Sequence, residues 1–273
     1  MISARLAREL GLYAAAPVHG GCIHRCYRAL RGGRPLFVKL NEPGFAAAFA
    51  AEADGLVALR AAGCRAPAPI AHGIAADHAY LLLEWLDLRS SGDFAAMGAM
   101  LAAMHRARGD AYGWPRDNYI GRTPQANSVC ESWMEFWRDR RLAPQLALAR
   151  GNGHRVDAPD VWRVLEGHNP PPCLVHGDLW SGNAAFTAGG EPALFDPAVY
   201  HGDRETDLAM TELFGGFPAE FYEAYNEAWP LERGYELRKP LYNLYHLLNH
   251  LNLFGAGYLA QVRAALRLLA DAL

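Results

Sequence analysis

Three residues have the types and spacing to do chemistry: Asp178, Asn183 and Asp196. The first two stand in the turn Leu174-Val175-His176-Gly177-Asp178-Leu179-Trp180-Ser181-Gly182-Asn183, where a short apolar run passes into polar residues. Asp196 follows a second apolar run, Pro192-Ala193-Leu194-Phe195. Two carboxylates and an amide on adjacent turns suit phosphoryl transfer from a nucleotide. Asp178 can orient a substrate hydroxyl and take its proton, while Asn183 and Asp196 can hold Mg²⁺ on the phosphates. The expected cofactors are therefore ATP and Mg²⁺.

Such a set needs a nucleotide pocket, and the first third of the chain has material for one. Gly20-Gly21 leads into an expected strand from Cys22 to Leu30, a hairpin turn at Arg31-Gly32-Gly33-Arg34, and a returning strand Pro35–Leu40 that carries Lys39. Backbone N–H groups of a glycine-rich loop can cradle phosphates. The pattern is not G-x-G-x-x-G, so a plain surface hairpin fits this segment equally. A helix expected over 44–62 adds more. Phe45, Phe49, Glu52, Leu56 and Leu59 recur at intervals of four and three, which makes one helical stripe. Glu52 thus points toward the core, where an unpaired carboxylate is costly. Lys39 on the preceding strand is its natural partner, and such a pair aims a lysine at nucleotide phosphates.

Two antiparallel strands are expected over 67–74 and 79–86, with the backbone of Glu84, Trp85 and Leu86 available to the adenine edge. The polar stretch Asp87–Asp93 reads as a hinge. A helix at 93–107 ends on His105, read as a buried or capping histidine. Residues 109–128 read as a long irregular loop that either shapes a polar substrate site or packs over the large lobe. Helices are expected at 129–143, 157–167, 217–228, 233–253 and 256–272, and from a cap at Asp203. Asp207, inside that last helix beside apolar neighbours, reads as a structural carboxylate holding the backbone of the catalytic turn. His246 and His250 lie four apart on one helix, but no Glu completes a zinc motif and no third ligand is in view. They read as interhelical hydrogen-bonders.

Composition sets the limits. The 273 residues carry 26 Lys and Arg against 29 Asp and Glu, a net charge of −3. That argues against a nucleic-acid groove or an anionic membrane surface as partner. No apolar run approaches the roughly eighteen residues needed to span a bilayer. The N-terminus reads as an amphipathic helix rather than a signal peptide. The five cysteines, at 22, 26, 64, 130 and 173, are scattered and form no C-x-x-C pair. The expected location is the cytoplasm, with reduced thiols.

The chain resembles the protein-kinase-like phosphotransferases of small molecules, and among them the fructosamine kinase (ketosamine-3-kinase) family. The string His176-Gly177-Asp178-Leu179-Trp180-Ser181-Gly182-Asn183 carries the likeness, with Phe195-Asp196-Pro197-Ala198 and Leu213-Phe214-Gly215-Gly216-Phe217. Phe37-Val38-Lys39, Asn118-Tyr119-Ile120-Gly121 and Leu247-Leu248-Asn249-His250 support it. The resemblance implies an α+β, bilobal kinase-like fold. Residues 1–87 would form a small β-rich N-lobe and 88–273 a large, mainly helical C-lobe. It implies ATP-dependent phosphorylation of O3 of a ketosamine, free or protein-bound, whose unstable phosphate releases the amine.

Within that likeness Asp178 matches the catalytic base, Asn183 and Asp196 the Mg²⁺ ligands, Lys39 with Glu52 the phosphate-positioning pair, and Gly20, Gly21 and Cys22 the nucleotide loop. Trp180 is a stacking platform for the sugar or a packing residue of the turn. The protein is expected to be a monomer or homodimer, with a redox-linked dimer through Cys22 or a buried spectator thiol there as alternatives. Pro197-Ala198 in place of Phe-Gly after Asp196, with no long activation loop, argues against a phosphorylation-regulated protein kinase. The rival readings are a kinase of another small alcohol (aminoglycoside, choline or thiosugar) and a non-catalytic nucleotide-binding protein on the same fold.

Overall fold

The structure is a computed structural model that describes residues 2–18 and 23–273. The chain divides into two compact units. One is Met1–Asp93 with Ala184–Pro197, the other Phe94–Asn183 with Ala198–Leu273.

In the first unit, helix α1 (Ala4–Leu10) precedes strands β1 (Tyr13–Pro17), β2 (Arg25–Arg31) and β3 (Arg34–Asn41). β2 and β3 join through Gly32 and Gly33, both at positive φ (56° and 79°), the conformation a two-residue hairpin with native twist requires. Helix α2 (Ala46–Ala61) and strands β4 (Pro69–Ala75) and β5 (His78–Glu84) follow. The strands form one antiparallel sheet in the order β1-β2-β3-β5-β4. Leu36, Val38 and Leu40 of β3 pack with Leu6 and Leu10 of α1 in one apolar cluster. Side chains alternate along a strand, so Lys39 faces the other way. Phe49, Leu56 and Leu59 of α2 are fully buried, as the stripe predicts, and each contributes about 1.5–3 kcal/mol of burial. A two-residue strand, β6 (Leu88–Arg89), closes this part.

The second unit begins with α3 (Phe94–Met104), the short hairpin β7 (Asn118–Ile120) and β8 (Thr123–Gln125), α4 (Trp133–Phe136), α5 (Ala143–Gly151) and β9 (Cys173–Val175). The chain then returns to the first unit as β10 (Ala184–Thr187) and β11 (Pro192–Leu194), where β10 pairs with both β11 and β6. It goes back to the second unit for β12 (Tyr200–Gly202), paired with β9, and helices α6 (Glu205–Leu213), α7 (Ala219–Ala228), α8 (Tyr235–Phe254) and α9 (Leu259–Asp271). The core of this unit gathers Trp133, Phe136 and Trp137 with Tyr242, Leu244, Leu248 and Leu251 of α8. Among the described residues no helix is long and apolar enough to cross a membrane.

Several expectations are corrected. The loop at 109–128 contains the β7–β8 hairpin. Its buried amides serve the backbone of the neighbouring segment: Asn118 Nδ2 donates to the carbonyl of Val199 (2.8 Å) and Gln125 Nε2 to that of Ala198 (3.1 Å). The helix expected over 129–143 starts only at Trp133, where the Ser132 hydroxyl accepts from Glu135 N (3.3 Å). It continues through a wide π turn at Trp137–Leu142 into α5. The helix expected over 157–167 is a single 3₁₀ turn, Val161–Leu165. Pro159 on one side and Gly167 at φ 77° on the other leave too few residues to nucleate an α-helix.

Candidate active site

In the first unit Lys39 Nζ lies 2.7 Å from Glu52 Oε1 and 2.6 Å from Asp196 Oδ1, with the lysine side chain only 3% exposed. Burial works to lower the Lys39 pKa, but the charges of Asp196 and Glu52 outweigh it and hold the ammonium well above its ordinary range. Burial pushes the Glu52 carboxyl up to about 7, against the pull of Lys39. Asp196 sits just past β11 at φ 57°, a left-handed conformation uncommon outside glycine, and keeps 44% of its side chain exposed. Lys39 binds one of its oxygens and solvent reaches the carboxylate, which suits a group that must meet a cation.

Glu84 is already occupied within this unit. Its N–H donates to the Ala68 carbonyl (2.9 Å), and its carboxylate takes a fork of hydrogen bonds from Arg65 (3.0 and 2.6 Å), which lowers its pKa. Trp85 and Leu86 follow the end of β5. The Trp85 ring packs on Phe37 (centroids 6.3 Å apart), with the Arg28 guanidinium over its face at 5.3 Å. Gly20, Gly21 and Cys22 lie outside the described residues.

In the second unit the turn after β9 is fixed by its backbone. Asp207, on α6, is buried and accepts from His176 N (2.7 Å) and Gly177 N (2.9 Å). This is the holding role expected from the sequence. Gly177 has φ 79°, and a Cβ there would stand 2.2 Å from the Ala198 carbonyl oxygen, so no other residue fits. Asn183 Nδ2 donates to the Asp178 carbonyl (2.8 Å) and to Asp178 Oδ2 (3.2 Å). Its amide nitrogen is thus turned toward Asp178, and Oδ1 is the atom that could meet a cation. The amide oxygen of Asn183 and the carboxylate of Asp196 are each the kind of hard oxygen donor that Mg²⁺ takes. Trp180 is 39% exposed. Its ring lies across Gly182, where a Cβ would come within 2.3 Å, and it meets Phe214 edge-on at 6.5 Å.

The burial expected of His105 holds, but the partners of three residues around this turn escaped sequence reasoning. His105 Nε2 lies 3.1 Å from Asp207 Oδ2, and its Nδ1 lies 2.8 Å from the Tyr225 hydroxyl. Burial pushes the Asp207 pKa up, but His105 and His176 overcome it and leave the carboxyl below its ordinary value. No local signal marks His105 or Tyr225, because they lie 102 and 18 residues from Asp207. His246 stands beside the base, Nδ1 4.0 Å from Asp178 Oδ1. The expectation of interhelical hydrogen bonds is corrected here. His250 Nδ1 donates to the His246 carbonyl of its own helix (2.8 Å), and the buried His246 Nδ1 has no hydrogen-bond partner.

A His–acid cluster does lie elsewhere in this unit, at His168, Asp203 and Glu205. Its acceptors are already used: Glu205 binds Arg238 through both oxygens (2.6 and 2.7 Å), and Asp203 Oδ2 takes His168 (2.7 Å) and the Tyr242 hydroxyl (2.6 Å).

Similarity to known proteins agrees with this geometry. A "Probable ketoamine kinase" of Synechocystis sp. is 52% identical over 259 residues, covering 92% of this chain and 88% of the relative. A protein-ribulosamine 3-kinase of Arabidopsis thaliana, chloroplastic, is 40% identical over 255 residues, covering 88% and 78%. A Haemophilus somnus crystal structure, provisionally assigned as a fructosamine-3-kinase, superposes with a TM-score of 0.88 at 31% identity, over 97% of this chain and 95% of that one. An aminoglycoside phosphotransferase in complex with ADP and hygromycin B shares the fold alone, at TM-score 0.59 and 17% identity over 97% and 95%. The family model for fructosamine kinase matches residues 1–271. With the lysine pair, the pinned Asp178 turn and near full-length identity to ketoamine kinases all present, the chain belongs to the fructosamine kinase family.

Proposed function

We propose that the protein transfers the γ-phosphoryl group of ATP to O3 of a ketosamine, a sugar joined to an amine by glycation. The phosphorylated adduct is unstable and gives up the amine, so the reaction deglycates small amines or protein lysines. The observation that carries this reading is the Asp178 turn. A carboxylate only 22% exposed is aimed by backbone that a second carboxylate grips through two amides.

Asp178 accepts the proton of the sugar hydroxyl as that oxygen attacks phosphorus. Asn183 holds the base from the side through Nδ2 and offers Oδ1 to a cation. Lys39 stays charged across the physiological range and meets phosphate oxygens, with Glu52 and Asp196 orienting it. Asn183 and Asp196 would hold Mg²⁺, which would supply charge neutralisation on the phosphates. Gly20, Gly21 and Cys22 belong to the nucleotide loop by family likeness, and the backbone at Trp85 and Leu86, with the Glu84 carbonyl, serves adenine, the Glu84 N–H being taken by Ala68. Most of the rate comes from positioning and charge neutralisation. Trp180 lays an aromatic face against the sugar. We place the reaction in the cytoplasm, where the free thiols of Cys26, Cys130 and Cys173 persist.

The test is Asp178→Asn with ATP and a ribulosamine adduct. Turnover should fall by about 10²–10⁴-fold while Mg-ATP affinity holds. Near-normal turnover removes Asp178 as the base. A panel of ribulosamine, fructosamine and aminoglycoside acceptors checks the substrate class, and preference for the aminoglycoside would overturn the ketosamine assignment.

A further inference from the structure

Beside Asp178 the second unit carries a line of rings that the phosphoryl-transfer chemistry does not use. Trp180 meets Phe214 edge-on, and Phe214 packs on His250 with centroids 4.7 Å apart. His250 in turn touches Phe254 (5.4 Å) and Tyr258 (5.1 Å). Two of these rings, His250 and Phe254, belong with His246 to one face of α8. His246, His250 and Phe254 recur every four residues, so the face runs about 12 Å along the helix axis at 1.5 Å per residue. It begins at the base, where His246 Nδ1 is 4.0 Å from Asp178 Oδ1, and ends at Phe254, 51% exposed. Trp180 and Phe254 are exposed, with the half-buried rings of Phe214, His250 and Tyr258 between them, and rings that reach the surface beside a candidate site suit a binding surface.

We propose that this face, with Trp180, Phe214 and Tyr258, is the subsite for the amine-bearing arm of the ketosamine: an apolar carbon chain joined to the sugar through a secondary ammonium. The inference rests on the function proposed above.

The chemistry of the strip fits that arm. Aromatic faces attract ammonium groups, and the Asp178 carboxylate at its inner end adds negative charge. Burial lowers the pKa of His250, and burial followed by His250 brings that of His246 to about 3. Neither ring is then an imidazolium at neutral pH, so no positive charge on the strip repels the cation. The buried His246 Nδ1, 4.0 Å from Asp178 Oδ1, has no partner, and an ammonium N–H or a sugar hydroxyl can satisfy it. Beyond it the surface is rings, suited to methylenes such as those of a lysine side chain.

The experiment compares kcat/KM for ribulose adducts of methylamine and of Nα-acetyl-lysine amide in Phe254→Ala and Tyr258→Ala. Both residues lie at the outer end of the strip, and a ratio taken within each variant cancels any loss of folded protein. The expected result is a fall of about tenfold or more in the long-to-short ratio, carried by KM of the lysine adduct. Leu237→Ala, exposed at the other end of α8, should leave the ratio within about twofold of the unaltered protein. A ratio unchanged in both ring variants overturns the subsite while leaving the kinase reading intact. Failure of the unaltered protein to phosphorylate either adduct removes that reading, and the subsite with it. A glycated protein as third acceptor separates the sources. Phosphorylation with the same dependence on Phe254 places the arm on a protein lysine. A response to the free lysine adduct alone places it on small amines.

Discussion

Each unit holds a carboxylate drawn into the interior beside a candidate site residue, Glu52 in one and Asp207 in the other, and the two are held in different ways. Glu52, in the first unit, has one partner, Lys39, which it shares with Asp196. Asp207, in the second, accepts two backbone amides and faces His105. Their pKa values move apart accordingly: burial wins at Glu52 and raises it, while partners win at Asp207 and lower it. A side-chain ion pair can be dispensed with as a pair. Backbone amides cannot be removed, so the group that satisfies them becomes indispensable to the turn.

The largest effect should come from Asp207→Ala. Two buried amides and His105 lose their acceptor, and unfolding in urea should show a loss of about 3–5 kcal/mol. Asp207→Asn keeps one carbonyl acceptor and should cost about half of that. If both variants unfold like the unaltered protein, the turn is held by something other than Asp207. Next comes Lys39→Met, expected to cost about 2–3 kcal/mol, since Glu52 can take up a proton once its partner is gone. Adding Glu52→Met should restore stability to within about 1 kcal/mol while phosphoryl transfer stays lost. A double variant no more stable than the single one would break the contrast between the two units.

The smallest effect is in the pH dependence of stability. The folded Glu52 pKa is raised from 4.5 to about 7. Its contribution is therefore fully present below pH 4.5 and lost as pH rises through about 7. Glu52→Gln should flatten stability across that window. Asp207 is lowered from 3.8, so its contribution is present above that value and is lost only as pH falls through the still lower folded one. Denaturant midpoints from pH 3 to 8 separate the two signs.

Legibility from sequence followed the range of the interaction. Lys39 with Glu52 was readable because a helical stripe pointed a carboxylate inward next to a strand lysine. The pairing of Asp178 with Asn183 was readable because only five residues separate them. The holding role of Asp207 was readable from a charge among apolar neighbours in a helix. His105 and Tyr225 were not, since what they do depends on a partner far along the chain. The pairing of β6 with β10 was hidden for the same reason, and a two-residue strand has no alternation to read. The 3₁₀ turn at Val161–Leu165 was misread because its apolar spacing is helical over too short a span.

The strands β10 and β11 belong to the first unit although they are encoded after most of the second. On the ribosome, β6 waits for its neighbour until residue 187 has emerged, and Lys39 waits for Asp196. At about 5–20 residues per second the intervening stretch takes roughly 5–20 s to make. Through that interval β6 lacks the strand it pairs with, and Lys39 lacks one of its two counter-charges. A fragment ending at Asp93 would stay in that condition permanently, so the chain cannot be cut there into two independent modules.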